Sequence, residues 1–213
     1  MRPSMMMASA LIAACAAAAE ARQAPSPTPA PTAAPWTFSV SAYTYIVPDD
    51  QNYVSPTLKA DHDRLHLEAR YNYEDLNTVS LWAGYMFSAG EGVAVEFTPM
   101  LGIVVGDTDG VAPGFLFDLT YRKIEFYSES EYVIGDGGRD ENFFYTWSEL
   151  TYAPVEHVRI GLVAQRTRAY QTDLDVQRGV LAGFTIKNVD LTGHVFNLGW
   201  DQPTVVVSVA VGF

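Results

Sequence analysis

The sequence has little positive charge and almost no cysteine. Its 213 residues include 13 Lys and Arg against 25 Asp and Glu, which gives a net charge of -12. Because a nucleic-acid-binding protein needs a basic surface to neutralise phosphates, we expect no nucleic-acid partner. The single cysteine, Cys15, excludes a disulfide framework and a cysteine zinc site. No apolar run reaches the roughly 20 residues of a membrane-spanning helix. The sequence also predicts no metal and no cofactor.

Residues 1–21 have the pattern of a secretory signal peptide. Arg2 precedes a run of apolar and small residues, and Ala19-Glu20-Ala21 fits a small-x-small cleavage site. Residues 11–15 also loosely resemble a lipoprotein signal, in which Cys15 would become the lipidated first residue, and both alternatives stay open. Residues 22–35 are rich in Pro and Ala and predict a disordered linker. One folded domain is therefore expected, residues 36–213.

The rest of the chain alternates with a period of two residues. Residues 64–74 show this best: Leu65, Leu67, Ala69, Tyr71 and Tyr73 share one face, and His66, Glu68, Arg70, Asn72 and Glu74 share the other. A strand separates two such sets, whereas a helix would mix them. Segments rich in Gly, Asp, Asn and Pro lie between the strands. We predict about twelve strands, with ten left open: 36–47, 53–60, 64–74, 78–88, 93–105, 114–122, 124–134, 143–153, 158–170, 176–186, 189–199 and 204–213.

The polarity of the two strand faces favours a membrane barrel over a soluble sandwich or barrel. The residues of one face are apolar and rich in aromatics, whereas those of the other face are a short, mixed set that includes charged residues. Strands of roughly 9–11 residues have the length that crosses a bilayer at a tilt. Aromatic residues cluster near the predicted strand ends, as in interfacial girdles: Tyr43, Tyr45, Tyr71, Tyr73, Tyr85, Phe87, Tyr121, Tyr132, Phe143, Phe144, Tyr152, Tyr170 and Trp200. The predicted fold class is all-β, a closed antiparallel up-and-down transmembrane β-barrel.

The chain resembles the bacterial outer-membrane β-barrel proteins, without matching a named subfamily. The resemblance rests on the signal peptide, the alternating strands and the last strand, which ends in VSVAVGF with Phe213 as the final residue. It implies a place in the outer membrane of a Gram-negative bacterium, in contact with lipid and lipopolysaccharide. It also implies that the barrel-assembly machinery recognises the strand that ends in Phe213. It says little about function, because this class includes porins, adhesins, enzymes and inert anchors.

The resemblance also implies an orientation, in which an even number of strands places both chain ends in the periplasm. The short turns then face the periplasm, and the other connections form an acidic outer rim that carries Asp49, Asp50, Asp107, Asp109, Asp136, Asp140, Glu141, Asp173 and Asp201. One of these connections, GDTDG at residues 106–110, resembles a calcium loop. It lacks the remaining ligands and the distal Glu, so we expect an ordinary acidic turn.

The polar strand faces are expected to line the lumen. They carry Glu68, Arg70, Glu96, Asp118, Arg122, Glu125, Glu129, Glu131, Glu149 and Arg159. Because acids outnumber bases, the first hypothesis is a small, cation-preferring pore for ions or small polar solutes. The alternative is a closed structural or surface-interaction barrel, plugged by Glu–Arg pairs, because twelve strands lie between filled and open barrels. Glu125, Glu129 and Glu131 share one face with no base between them, which favours solvated carboxylates. The sequence predicts no oligomeric state.

A second alternative is an enzyme that modifies lipid or lipopolysaccharide. Hydroxyl side chains are expected on the lipid-facing surface of two adjacent strands: Ser128, Ser130, Thr146 and Ser148. A serine nucleophile needs a base within hydrogen-bonding reach. The four histidines, however, fall in periplasmic turns or on inward faces: His62, His66, His157 and His194. We therefore predict no catalytic residue.

Three arginines are predicted on outward faces near the external end of the barrel. They are Arg166, Arg168 and Arg178, and a hairpin turn centred near residue 172 would place Arg166 opposite Arg178. An arginine that faces lipid is tolerated at the membrane interface but is costly at the midplane. Since Arg binds phosphate through paired hydrogen bonds, these residues are candidate contacts for lipopolysaccharide phosphates. A local bulge that turns them into solvent is the alternative.

Overall fold

A computed structural model describes residues 35–48, 50–138, 141–167, 176–199 and 203–213. The signal peptide, Cys15 and nearly all of the linker lie outside these residues, so they stay predictions. The strands are β1 (Thr37–Ile46), β2 (Tyr53–His62), β3 (Leu65–Tyr71), β4 (Val79–Tyr85), β5 (Phe87–Ala89), β6 (Ala94–Val105), β7 (Gly110–Tyr121), β8 (Ile124–Gly135), β9 (Phe143–Val155), β10 (Val158–Arg166), β11 (Gln177–Ile186), β12 (Val189–Phe196) and β13 (Thr204–Gly212).

The strands form one closed antiparallel ring. Each strand pairs with its neighbour along the chain, except that β4 and β5 both pair with β6 and not with each other, and β1 closes the ring on β13. Phe38 and Phe213 complete this seam by exchanging two backbone hydrogen bonds, of 2.9 and 2.8 Å. Closure is what a bilayer demands, because lipid offers no partner for the free N–H and C=O groups of a sheet edge. The predicted fold class is confirmed.

β4 and β5 are two parts of one barrel strand, so the thirteen segments form a ring of twelve strands. Both pair with β6, β4 with its second half and β5 with its first. The break falls at Met86, whose backbone N–H donates to Arg64 O at 2.8 Å. The predicted segment 78–88 is thus one strand with an interruption.

The alternation of apolar and polar residues in the sequence matches the alternation of outward and inward side chains along the strands. Outward side chains of the strands are apolar and exposed, as Leu81, Leu101 and Leu162 show with exposed fractions of 51%, 61% and 60%. Inward neighbours such as Trp82 and Val163 are buried. Among the described residues, no helix is long and apolar enough to cross a membrane.

The aromatic residues fall into two groups, which the sequence did not separate. Outward, exposed rings form a band near each end of the barrel and include Tyr71, Tyr85, Phe87, Tyr121, Tyr132, Phe144 and Tyr152. The assignment of Tyr43, Tyr45, Tyr73 and Phe143 to a girdle was wrong, because these rings pack inside the barrel. Tyr170 and Trp200 lie outside the described residues.

The two ends of the barrel differ in the length of their connections. At one end, which we call the turn end, strands are joined by tight turns such as Arg122–Lys123 and Lys187–Asn188. Arg122 and Lys187 adopt positive φ angles of 57° and 56°, as hairpin turns of this kind require. The first and last strands also reach this end, since Thr37 pairs with Asp61 and Phe38 with Phe213. The opposite end, the loop end, carries the longer connections, and its assignment to the cell exterior stays a prediction.

The outward face gives a test of lipid contact. Leu162→Arg places a charge on that face, four residues from the start of β10. We expect it to lower the free energy of unfolding from lipid vesicles by about 2–4 kcal/mol, because a cation near the bilayer midplane loses its hydration. Denaturant unfolding measures this value, with Leu162→Ala as the matched control. Equal losses in the two variants would show that Leu162 does not face lipid.

Candidate functional site

Arg70, on β3, is the centre of the charged lumen. Its side chain is fully buried, and its three nitrogens each meet a different carboxylate. Nε lies 2.5 Å from Glu68 Oε2, Nη2 lies 2.6 Å from Glu129 Oε1, and Nη1 lies 2.9 Å from Glu131 Oε2. Because Glu129 and Glu131 come from β8, these contacts tie two separate walls of the barrel together.

A fourth carboxylate and two aromatic rings complete the surroundings of Arg70. Glu74 Oε1 lies 3.6 Å from Nη1 and also accepts hydrogen bonds from Ser80 Oγ, at 2.5 Å, and Trp82 Nε1, at 3.1 Å. Burial raises the pKa of the Glu74 carboxyl, although Arg70 and these donors lower it. The guanidinium also lies 4.5 Å from the ring centre of Tyr73 and 4.6 Å from that of Trp82, in cation–π contact.

The expectation that Glu129 and Glu131 are solvated was wrong. Both residues are buried, with exposed fractions of 5% and 2%. Their own strand indeed offers them no base, but Arg70 supplies one from the other side of the lumen. Unmatched charges at this depth would be costly, and the pairing with Arg70 offsets part of that cost.

A second set of contacts extends this network toward the turn end. Lys59 Nζ lies 3.0 Å from Glu68 Oε1, and its side chain is 27% exposed. The ring of His66 joins the same carboxylate of Glu68, at 2.7 Å, to Asp61, at 2.6 Å. Glu68 is therefore shared by Arg70, Lys59 and His66.

The cavity that the described residues enclose at this level of the lumen is small. Its volume is about 40 Å³, and its walls are Ser41, Tyr43, Tyr45, Thr57, Lys59, Glu68, Tyr73, Tyr127, Glu129, Tyr145 and Trp147. A cavity of this size holds a few water molecules at most. Apolar side chains fill the neighbouring space. The Trp82 indole, for example, packs so closely on Gly102 that an added Cβ would lie 2.5 Å from the ring.

Residues 72–78, between β3 and β4, fold into the loop-end mouth; we call them the plug loop. The ring of Tyr73 packs on Tyr145 with ring centres 4.9 Å apart, and Leu76 packs on the same buried cluster. β3 ends at Tyr71, not at the predicted residue 74, because Asn72 adopts a φ of 52° and turns the chain inward. The plug loop is thus anchored by Tyr73 and Glu74 rather than open to solvent.

The turn end of the lumen is wider and acidic. Glu96 and Asp118 lie side by side on paired strands, and Glu125 follows on β8 next to Thr120. Open cavities of about 490 Å³ beside Glu96 and Asp118, and about 200 Å³ beside Glu125 and Arg159, lie at this end. We call Glu96, Asp118 and Glu125 the acidic vestibule. It has the accessible carboxylates that the sequence predicted for the whole strand face.

The remaining predicted lumen residues are held by partners, with one exception. Arg159 contacts both carboxylate oxygens of Asp190, one of them at 2.7 Å. Glu149 accepts a hydrogen bond from Trp147 Nε1 at 2.9 Å and lies 3.0 Å from His194 Nε2. The exception is Arg122, which is exposed in the turn after β7, lies over the ring of Tyr121 and lines the turn-end cavity beside Glu125 from that turn and not from a strand.

The lipid-facing hydroxyls bond to one another. Ser128 pairs with Ser148 at 3.0 Å and Ser130 with Thr146 at 2.9 Å, all across β8 and β9. His66 and His194 contact carboxylates in the lumen. Of the other two, His157 lies in the turn before β10 and His62 stacks on Trp36. The described part of the chain thus offers these hydroxyls no histidine base.

The external arginines are only partly as predicted. Arg178 is exposed on the outward face of β11, but its register partner is Ala164, two residues before Arg166. The expected Arg166–Arg178 pair is therefore displaced by two residues along β10. Arg168 lies outside the described residues.

Sequence reasoning missed several residues that shape the lumen. Lys59 and Trp82 lie on the inward faces of their strands, so extending the alternation to β2 and β4 would have found them. Glu74 could not be found in this way, because it acts from a connection and not from a strand. Across the described ranges, no group of three or more His, Cys, Asp or Glu residues has an arrangement that could hold a metal ion.

Comparison with known proteins supports the fold. No protein family and no curated protein matches the sequence. Among solved structures, the KdgM porin matches with 13% identity and a TM-score of 0.56, covering 82% of this chain and 99% of that one. A KdgM porin in complex with disordered oligogalacturonate matches with 13% identity and a TM-score of 0.54, over the same shares. Outer membrane phospholipase A from Escherichia coli matches with 11% identity and a TM-score of 0.48, over 84% and 98%.

The two KdgM matches agree with the resemblance drawn from the sequence. The chain has the fold of bacterial outer-membrane β-barrels, and porins are among its structural neighbours. At 13% identity the likeness extends to the fold alone. Function must therefore be argued from the residues of this lumen.

The Arg70 network makes a prediction about stability. Arg70→Met leaves its buried carboxylates without a cation, so we expect the free energy of unfolding to fall by about 3–5 kcal/mol. Adding Glu129→Gln and Glu131→Gln should recover part of this loss, because two of the unpaired charges are then removed. Denaturant unfolding in vesicles measures all three proteins.

Lys59→Met is the matched control. Lys59 also pairs with Glu68, but its side chain is partly exposed, so we expect a smaller loss. If Arg70→Met and Lys59→Met were equally mild, Arg70 would not be the residue that holds the network together.

Proposed function

We propose that the protein is a narrow, cation-preferring outer-membrane pore for ions or small polar solutes, closed in the conformation described. The observation that carries the proposal is the acidic lining of the lumen. Inward carboxylates outnumber inward Lys and Arg residues among the described residues. The carboxylates are Asp61, Glu68, Glu74, Glu96, Asp118, Glu125, Glu129, Glu131, Glu149 and Asp190, and the cations are Lys59, Arg70 and Arg159.

This excess of carboxylates bears directly on ion selectivity. A narrow channel with one sign of charge raises the local concentration of the opposite ion and repels its own sign. Among the described residues no ion pair joins a carboxylate of the acidic vestibule to a base, although Lys59 and Arg159 act on Asp118 and Glu125 at longer range. The charge of the vestibule therefore acts largely on the solution in the lumen. Cations should therefore gather at the turn end and anions should be excluded.

The same argument limits what the structural neighbours suggest about solutes. One KdgM porin was solved with oligogalacturonate, a chain of sugar carboxylates. An acidic lumen repels such a polyanion, so we do not extend that ligand to this chain. Small cations and neutral polar solutes fit the charge of the vestibule better.

Conduction needs a change at the plug loop. The cavity of about 40 Å³ beside Lys59 and Glu68 is too small to pass a hydrated ion. The plug loop enters this region through Tyr73, Glu74 and Leu76, whereas Arg70 is fixed by carboxylates of two walls. Movement of the plug loop would widen the mouth without breaking the β3–β8 contacts. We therefore propose that the plug loop controls opening.

Ion selectivity tests the role of the acidic vestibule. The triple variant Glu96→Gln, Asp118→Asn and Glu125→Gln should lower the cation-to-anion permeability ratio, because it removes the accessible carboxylates. Reversal potentials in a planar bilayer under a salt gradient measure this ratio. Glu91→Gln, in the turn before β6, is the control and should leave the ratio unchanged. A ratio that is equal in the triple variant and the unchanged protein would overturn the selectivity claim.

Single-channel recording tests the plug loop. Tyr73→Ser with Leu76→Ser removes the two apolar anchors but keeps Asn72 and Asn77, which shape the turn. We expect longer or more frequent openings than in the unchanged protein, because less apolar surface holds the loop in the lumen. Tyr71→Ser, on the outward face next to the loop, is the control.

A closed structural or surface-interaction barrel is the second candidate, and the filled lumen favours it. Trp82, Met100, Val104, Leu116 and Val133 form a buried cluster toward the loop end, as in barrels that conduct nothing. This candidate predicts silence from both the unchanged protein and the plug-loop variant. Silence from correctly folded protein in both cases would replace the pore with the closed barrel.

A further inference from the structure

The buried charges around Arg70 do not balance. Four carboxylates belong to its network, and none is more than 5% exposed: Glu68, Glu74, Glu129 and Glu131. Among the described residues, two Lys or Arg side chains contact these carboxylates, Arg70 and Lys59. With all four carboxylates ionised, two negative charges have no matching cation. Because unmatched buried charge is costly, the network gains stability from a further cation.

His66 does not change this balance. Its Nε2 lies 2.7 Å from Glu68 Oε1, and its Nδ1 lies 2.6 Å from Asp61 Oδ1. A protonated His66 ring is therefore matched by the Asp61 carboxylate, and a neutral ring adds no positive charge. The excess of negative charge stays with the carboxylates around Arg70.

Two of these carboxylates line the cavity of about 40 Å³, together with residues that carry hydroxyl groups. Glu68 and Glu129 share its walls with Ser41, Thr57 and Tyr127, among others. The Tyr127 hydroxyl donates to Glu129 Oε2 at 2.6 Å. Carboxylate and hydroxyl oxygens are ligands for hard cations, and the faces of tyrosine rings also attract cations. The cavity thus joins negative charge to neutral oxygen ligands.

Thr57 is an independent sign of a ligand in this cavity. It lies on β2, opposite Ser41 on β1 and Arg70 on β3. Its side chain is buried, with an exposed fraction of 4%, and its Oγ1 has no hydrogen-bond partner among the described residues. Buried hydroxyl groups normally have a partner. A water molecule would satisfy Thr57 but not the charge of the network, whereas a cation satisfies both.

We propose that this cavity binds one small monovalent cation, such as K⁺ or Na⁺, among Glu68, Glu129 and Thr57. The volume of about 40 Å³ admits an ion with a few water molecules at most and excludes organic cations. Two carboxylates and neutral hydroxyls suit a single positive charge. A divalent ion takes more charged ligands, and the described ranges contain no group of three or more acidic or His residues arranged to hold one.

This cation site deepens the proposed pore, because it names the class of ion that would pause at the narrow level of the lumen. It rests on that pore for the route by which the ion enters. Lys59 competes with the ion, since its ammonium lies 3.0 Å from Glu68 Oε1. Removal of Lys59 should therefore tighten cation binding, whereas removal of the Thr57 hydroxyl should weaken it.

Unfolding by urea in lipid vesicles tests the site without any need for conduction. KCl is compared with N-methyl-D-glucamine chloride at equal ionic strength, because this organic cation is too large for the cavity but screens charge equally. The unchanged protein should be more stable in KCl. Once the site is nearly saturated, each tenfold rise in K⁺ should raise the ratio of folded to unfolded protein by about tenfold, as expected for one ion bound to the folded state.

Two variants of the cavity wall should shift this K⁺ dependence in opposite directions. Thr57→Val should need about tenfold more K⁺ for the same stabilisation, because one oxygen ligand of the ion is lost. Lys59→Met should need less K⁺ than the unchanged protein. Thr204→Val is the matched control: Thr204 is also buried, and its Oγ1 also has no partner among the described residues, but it does not line this cavity. It should leave the K⁺ dependence unchanged.

Equal stability of the unchanged protein in the two salts would overturn the cation site and would show that protons on the carboxylates remove the excess charge. Equal shifts in Thr57→Val and Thr204→Val would also overturn it. Bilayer recording separates this result from the fate of the pore. A silent barrel with K⁺-dependent stability would keep the cation site and remove the pore, whereas a conducting barrel without that dependence would do the reverse.

Discussion

The contact of the Arg70 guanidinium with its carboxylates is the interaction on which the lumen depends. A sheet in lipid must close, and in the closed barrel every second side chain points into the lumen. The lumen of a twelve-stranded barrel is narrow. Charges in that space cannot all be hydrated, so they must be paired. Arg70 meets Glu68 on its own strand and Glu129 and Glu131 on β8. One cation thus makes several buried carboxylates compatible with folding.

This pairing divides the lumen into two halves that differ in packing and charge. Toward the loop end the lumen is packed by Arg70, the plug loop and rings such as Trp82 and Tyr145. Toward the turn end it stays wide and keeps the unpaired charge of the acidic vestibule. Carboxylates that are paired with Arg70 produce little electrostatic potential in the lumen, because the cation cancels their charge. The carboxylates of the acidic vestibule have no such close partner, so they produce a larger potential. The residues that hold the lumen together and those to which we assign ion selectivity in our proposal are therefore different sets, although the sequence places them on one acidic face.

The sequence predicted the outward surface far better than the lumen. Alternation with period two needs only neighbours along one strand, so it gave the strands, their outward faces and the closed barrel. Contacts across the lumen depend on which walls face each other. Arg70 and Glu131 are 61 residues apart, and no local pattern links them. Asn72 likewise looks like one more strand residue, and only its φ of 52° shows that the chain turns inward there.

The aromatic residues show why composition alone misleads in such a barrel. A tyrosine near a strand end suits the membrane interface, but it suits a narrow lumen equally well, because the hydroxyl finds water or a carboxylate there. Tyr71 and Tyr73 are two residues apart and go to opposite environments, Tyr71 outward and Tyr73 onto Arg70. The turn at Asn72 reverses what the alternation assigns to Tyr73. Since Tyr73 both stacks on Arg70 and anchors the plug loop, the same turn links the charge network to the loop that fills the loop-end mouth.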